Sequence, residues 1–410
     1  MSFLSRLLAA FESRAYGWLW SSHFLYVMSL VMSRLALGWL MLDMTDSALW
    51  VGIANGVDGA GKIICGFFAG VLVDRLDKRA VLMGSQLLFG VLALILGGLI
   101  LTHQVAIWNV LIVAFLLGAV DAAVVPASNT IVYQVVGRER VMNAAAVNMM
   151  GFNLARTVGA ALAGIVIDRA GTGACYVIVG GLACVGVLPM FGIHGEFRST
   201  GASVPFWGAL REGMSYVWNG GALRRVLRLS LVVELFGFSH YTMIPVIARD
   251  VLRVGAEGLG YLGSASGLGA TVGTLALASL GDVKHKARLL WLTTISAGAG
   301  IILFALSPWY AVSLALATIN GATLASYDAL MQTLVQLLTP DAVRGRVLGL
   351  YVLTFGFTSV GGYLAGLIAT AAGAPFAIGL GGGVMVAYLL GITRTVRHMQ
   401  PTAEGVGTVD

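Results

Sequence analysis

The chain has 410 residues, of which 58% are hydrophobic and only 11% charged, and its mean hydropathy is +0.89. An ordinary soluble domain carries about 25% charged residues, so a soluble enzyme is excluded and an all-α integral membrane protein is expected. The net charge of +6 does not signal nucleic acid, because the basic residues gather in short segments between apolar runs.

Ser5 to Glu12 is too polar for the apolar core of a cleavable signal peptide, and no small-residue cleavage site follows. A bilayer is crossed by about 20 mostly apolar residues. On that rule the first six spans fall near 18–42, 48–73, 81–102, 107–136, 142–167 and 174–193. A second six fall near 226–248, 259–280, 289–306, 310–338, 347–370 and 374–393. Residues 1–194 thus form one six-helix bundle, 195–225 a cytoplasmic joint, and 226–410 a second bundle with a cytoplasmic tail. In the joint, Phe206, Trp207, Leu210, Met214, Val217 and Trp218 make an apolar stripe at helical spacing, opposite Arg211, Glu212 and Ser215. That pattern suits an amphipathic helix lying in the membrane interface.

The basic residues orient the spans. Nineteen of the 25 fall in the termini and in the connections that would be cytoplasmic if both ends are inside. Only Arg169, Arg249 and Arg253 fall on the other side, a bias that sets both termini in the cytoplasm. The chain also repeats itself at half length. "LVDRLDKRAVL" (72–82) leaves span 2 as "SLGDVKHKARLL" (279–290) leaves span 8, and "GRERVMNAA" (137–145) follows span 4 as "VRGRVLGLY" (343–351) follows span 10. Asp74 to Asp282 is an offset of 208 and Arg140 to Arg346 one of 206, as a parallel duplication of six spans requires.

Two apparent nucleotide motifs fail on context. "GVDGAGKI" (56–63) has Ile63 where a phosphate-binding loop needs a hydroxyl, and it lies inside span 2. "GLGYLG" (258–263) opens a membrane helix rather than following a strand, and its glycines are better read as small residues that let helices approach. Cys65, Cys175 and Cys184 all lie in apolar runs without metal or redox spacing. No cofactor and no metal are expected, and an engine driven by an ion gradient replaces ATP.

"GVLVDRLDKRAVL" (70–82) resembles the G-x-L-x-D-R-x-x-R-R signature of the major facilitator superfamily. "WLMLDMTDSALWVGIANG" (39–56), "LREGMSYVW" (210–218) and residues 236–273 resemble its enterobactin-exporter-like branch, which is similar to bacterial macrolide and multidrug effluxers. The resemblance implies twelve helices in two pseudo-symmetric bundles, a monomer in the bacterial inner membrane, and a small-molecule substrate. It also implies that Gly70, Asp74, Arg75 and Arg79 form a cytoplasmic gate motif, with the aspartate at a helix end of the neighbouring half. Asp77 stands where the motif has Gly, and Lys78 where it has Arg. In span 5, "GAALAG" (159–164) keeps Gly159 and Gly164 of an exporter element but has Ala160 for its proline.

Seven ionisable residues fall within spans: Arg34, Asp58, Lys62, Asp121, Arg156, Glu234 and Asp328. A charge at the bilayer centre costs about 2.5–3.5 kcal/mol on insertion scales, so each is a candidate for function. None falls in spans 3, 6, 9 or 12, the lipid-facing helices of the resembling fold. Asp58 and Lys62, four apart on one helix, can neutralise each other, and Arg156 can meet Asp121 across spans 4 and 5. Arg34 has no partner on its own helix. Glu234 and Asp328 share a half without any intramembrane Lys or Arg, so unless the other half reaches them they carry protons, bind a cation or face water. They are either hydrogen-bonded core acids or the proton carriers, with Asp121 and Asp58 as further candidates. Phe236, Phe238, His240 and Tyr241 are either an aromatic wall for an organic substrate, together with Arg34 and Arg156, or ordinary packing.

The expected function is export of a small amphiphilic organic molecule, a drug or a siderophore, by proton antiport and alternating access. Protons and lipids are its other partners. The seven intramembrane charges sum to one negative, which favours a neutral or cationic substrate. An importer or lipid mover of the same fold is the alternative within transport. A non-transporting membrane sensor is the alternative outside it, and it would normally add a soluble output domain.

Overall fold

A computed structural model describes residues 11–195, 197, 206–281, 285–340 and 343–396. No strand occurs among them; apolar runs in a bilayer must satisfy their backbone polar groups within the helix. The helices are α1 (Arg14–Thr45), α2 (Ala48–Arg75) and α3 (Lys78–Leu101). A helical stretch, Ile107–Val185, follows, broken where Gly137 (φ 73) and Gly171 (φ 81) take left-handed backbone angles. The breaks divide it into α4 (107–136), α5 (138–170) and α6 (172–185), and a 3-10 turn at Leu188–Gly192 extends α6. The short α7 (Phe206–Asn219) leads to α8 (Gly221–Val251), α9 (Gly255–Ser279), α10 (Lys286–Leu306), α11 (Tyr310–Leu337), α12 (Arg344–Ala372) and α13 (Ala374–Val396).

Twelve helices other than α7 are therefore present among the described residues. Eight stretches are long and apolar enough to cross a membrane, one of them (Asn143–Gly192) turning back at Gly171. α3, α6, α10 and α13 carry exposed apolar side chains such as Leu87, Ile95, Ile178, Leu303 and Leu390. A soluble monomer rarely exposes so much apolar surface.

Arg75, Arg140 and Arg346 mark one end of the bundle, and Asp46, Arg249 and Gly255 the other. The first six helices meet the last six mainly through α5 with α9 and α2 with α12. These pairs touch at glycines: a Cβ on Gly164 would lie 2.6 Å from the Gly260 Cα, and one on Gly366 3.0 Å from the Gly52 Cα. Such close approach maximises dispersion contact where no hydrophobic force separates helix from lipid. Among the described residues, these approaches lie between mid-bundle and the Asp46 end.

α7 seats Gly213 against Leu350 and Arg346 of α12, and Glu212 forms an ion pair with Arg346. Met214 and Trp218 of its apolar stripe are exposed, while the side chains of Phe206, Trp207 and Leu210 lie outside the described residues. Gly70 and Asp74 fall on α2, but their side chains likewise lie outside the description; Arg75 is exposed and Arg79 half-buried.

Asp77, the departure from the loop motif, has a structural use. Its Oδ1 accepts from the Ala80 N–H at 3.0 Å, capping α3, and its Oδ2 from the Phe197 N–H at 2.7 Å. Partial burial opposes ionisation, but the Phe197 and Ala80 N–H bonds prevail and hold the carboxyl below its ordinary value. Its contribution is thus present above the unfolded carboxylate range and is lost as pH falls through the lower, folded value. Asp77→Ala is expected to cost about 1 kcal/mol of stability, read as a lower unfolding temperature in detergent, with Asp77→Asn recovering most of it.

Candidate functional site

Three helices of the first six assemble a charged cluster. α1 supplies Tyr26 and Arg34, α2 supplies Asp58 and Lys62, and α4 supplies Asp121. Gly118 makes the α2–α4 crossing possible, since a Cβ there would overlap the Asp58 carbonyl oxygen at 1.9 Å. Asp121, its side chain 3% exposed, accepts from Lys62 Nζ at 2.6 Å and Arg34 Nη2 at 3.3 Å through Oδ2. Its Oδ1 accepts from the Tyr26 hydroxyl at 2.9 Å. The side chains of Arg34 and Lys62 are 46% and 37% exposed, so the cations face an open space while the carboxylate lies behind them.

Two expected pairings are corrected here. Lys62 makes its ion pair across to Asp121 rather than with Asp58 along its own helix; Asp58 has no ion pair among the described residues, although Arg34 and Lys62 both remain its electrostatic neighbours. Arg156 does not meet Asp121, because the rotation of α5 carries it to the last six helices. Its guanidinium lies 4.9 Å from the centre of the Tyr241 ring, and Nη2 donates to Ser266 Oγ at 3.4 Å. Arg34, without a partner on its own helix, has Asp121 of α4.

A second group lies among the last six helices. Residues 233–238 of α8 form a π-helical turn, a wider winding often found at functional sites. It holds Glu234, 3% exposed, whose Oε2 accepts from the Thr358 hydroxyl of α12. Asp328 of α11 is Glu234's electrostatic neighbour, and its Oδ1 is buried without a hydrogen-bond partner. His240 Nδ1 lies 2.5 Å from the Gly237 carbonyl, so that nitrogen carries the proton, and its ring lies tilted against Tyr241 with centroids 4.1 Å apart.

The expected aromatic wall divides. Phe238, His240 and Tyr241 stay together, with Phe238 and Tyr241 centroids 6.4 Å apart. Phe236 instead lines a small cavity with Ser239, Gly361 and Gly381, between α8, α12 and α13.

Tyr26, Ser266, Thr358 and Arg249 are partners of the site that intramembrane charge and the aromatic cluster after Glu234 do not mark in the sequence. Arg249, in a second π-helical turn at the end of α8, donates from Nη1 to the Leu42 carbonyl at 3.0 Å and from Nη2 to Asp46 Oδ1 at 2.5 Å. It therefore caps the C-terminal end of α1, where a cation is favoured. Its exceptional position, basic on the sparsely basic side, was the available signal. The pair is solvent-exposed and worth about 1 kcal/mol. Arg249→Ala is expected to raise maleimide labelling of a cysteine at Ala160, buried in the α5–α9 contact, by about fivefold.

Twelve helices, apolar outside and charged within, define a membrane transporter. Residues 5–405 match the model of the family described as transmembrane secretion effectors. The chain belongs to that family, a branch of the major facilitator transporters, and is not an enzyme. It is 27% identical over 350 residues to the multidrug efflux pump Tap of Mycolicibacterium fortuitum, covering 82% of this chain and 85% of that one. To the enterobactin exporter EntS of Escherichia coli K12 it is 23% identical over 404 residues, covering 95% and 94%. In fold it is similar to the nucleoside transporter NupG (TM-score 0.69, 16% identity, 93% and 98% covered) and to an inward-facing bacterial homologue of the lysosomal transporter Spinster (0.70, 13%, 93% and 95%).

Proposed function

We propose that this protein exports a small amphiphilic organic molecule from the bacterial cytoplasm in exchange for protons. Two six-helix bundles, residues 1–194 and 226–410, rock about the joint at 195–225 and expose a central site to each side in turn. The Arg75 end is cytoplasmic, as are both termini, and twelve spans cross the membrane; the bias of nineteen basic residues supports this orientation. Gly70, Asp74, Arg75 and Arg79 act as the cytoplasmic gate. The names of the relatives Tap and EntS support an efflux reading, with drugs or siderophores as the substrate class.

The observation that carries proton exchange is the contrast between the two acid groups. Asp121 touches two cations, whereas Glu234 touches only a hydroxyl and has a second carboxylate as its neighbour. An acid without an ion pair can lose and regain a proton without breaking one. Asp58 also lacks an ion pair, but it sits in the field of Arg34 and Lys62. Among the described residues Glu234 has no cation among its neighbours, so Glu234 and Asp328 are the coupling acids and Asp121 is a structural anchor. Arg34, Arg156, Phe238, His240 and Tyr241 line the substrate path. The test uses inverted membrane vesicles with an acid lumen, and ethidium and enterobactin as probes. Accumulation of a probe that collapses with a protonophore supports the reading; accumulation that follows only an imposed sodium gradient refutes proton coupling.

A further inference from the structure

The contact between α5 and α9 ends at one charged residue. From Gly164 to Thr157, α5 lies against Gly260, Gly263 and Gly267 of α9, and Ser264 Oγ donates to the Thr157 carbonyl at 2.7 Å. Arg156 is the next residue towards the Arg75 end. It belongs to the first six helices, yet its guanidinium rests on Tyr241 and Ser266 of the last six. The Tyr241 hydroxyl lies 2.8 Å from the same Ser266 oxygen. No carboxylate is within ion-pair distance of Arg156 among the described residues.

Asp328 shows the converse. Its Oδ1 is buried without a donor, and Arg156 is close enough to act on it electrostatically. A cation without a counter-ion and a carboxylate oxygen without a donor are thus neighbours that do not touch. The other titratable groups facing them are Glu234 and His240 of α8, Tyr327 of α11 and Tyr351 of α12, with Tyr388 of α13 in the same core. α9 contributes only the Ser266 hydroxyl. Among the described residues, Arg156 is therefore the cation of the opposite group of helices that bears on Asp328.

We infer that Arg156 is a movable counter-ion that rests on Tyr241 and Ser266 while Asp328 is protonated and swings to Asp328 when it ionises, loosening the α5–α9 contact. This rests on the proton-exchange reading above. A guanidinium–carboxylate bond is stronger than a cation–π contact, so loss of the proton reverses the preference of Arg156. Movement of Arg156 withdraws a hydrogen bond from the contact that closes the Asp46 end. Protonation from outside then favours the state closed there and open to the cytoplasm, where the proton is released. Arg156 is a positioning residue in this scheme, carrying the state of the acid to the helix contact.

The test needs no substrate. Spin labels replace Tyr133 and Leu337, exposed near the Arg75 ends of α4 and α11, in protein lacking Cys65, Cys175 and Cys184 and reconstituted in lipid nanodiscs. The expected result is a several-fold fall in the population open at the Arg75 end as pH rises. Arg156→Gln should flatten this titration and Arg156→Lys should keep it with a displaced midpoint. Asp328→Asn should make the open population independent of pH, and adding Arg156→Gln to it should shift that population without restoring any pH dependence. If Arg156→Gln does not fold, Asp328→Asn with Arg156 intact decides alone. A wild-type-like titration in either Arg156→Gln or Asp328→Asn overturns the switch while leaving proton exchange standing. A wild-type protein whose distances ignore pH overturns both.

Discussion

Glu234→Gln is expected to abolish uphill transport while leaving downhill exchange of substrate in place. Glutamine keeps the size of the side chain and can still accept from the Thr358 hydroxyl, so packing around the π-helical turn survives. What it cannot do is bind and release a proton. Without that step, reorientation no longer depends on which side supplies protons. For a one-to-one exchange, a pH difference of one unit stores about 1.4 kcal/mol and sustains a substrate gradient of about tenfold. That gradient should fall to unity in Glu234→Gln. Asp328→Asn should behave alike, because the two acids are electrostatic neighbours. Proteoliposomes carrying the variants, loaded with ethidium and given a pH step, measure both the final gradient and the initial downhill rate. Retention of a tenfold gradient by both variants would move the coupling to Asp58 or Asp121.

Asp121→Asn should instead destabilise the protein. The carboxylate of α4 is buried and holds Lys62 of α2 and both Arg34 and the Tyr26 hydroxyl of α1. Breaking a fully buried pair typically costs about 3–5 kcal/mol. Here both cations are partly exposed, so water recovers part of that, and about 2–4 kcal/mol is expected. The variant should show a lowered unfolding temperature in detergent. Lys62→Met should be milder, since it leaves Arg34 and Tyr26 on the carboxylate. Equal stability of Asp121→Asn and wild type would mean that the cluster contributes nothing net to the fold.

The helices and their order were legible because apolar run length is set by bilayer thickness and because each half repeats the other's loops. The absence of charge from the predicted spans 3, 6, 9 and 12 also agrees with the exposed apolar side chains of α3, α6, α10 and α13. Side-chain partnership was less legible, for a physical reason. Spacing of four along α2 places Lys62 near Asp58, but the α2–α4 crossing at Gly118 brings Asp121 closer, and only the packed structure contains that distance. Arg156 raises the same difficulty, since its partners lie across the boundary between two groups of helices. The sum of intramembrane charge favoured a neutral or cationic substrate, yet Asp121 and Glu234 are hidden while Arg34 and Lys62 are exposed. Accessibility, rather than the sum, governs which charges a substrate meets. The π-helical turns at 233–238 and 247–251 shift every residue after them and have no marker in the sequence comparable to a glycine or proline.

Proton exchange is tested most directly by following protons rather than substrate. Purified protein in weakly buffered detergent solution, near neutral pH and with a pH-indicating dye, should release protons when ethidium or enterobactin is added as a saturating ligand. The release should disappear in the Glu234→Gln, Asp328→Asn double variant while either ligand still binds. Binding by the wild type without any proton release, or release undiminished in the double variant, would contradict the account.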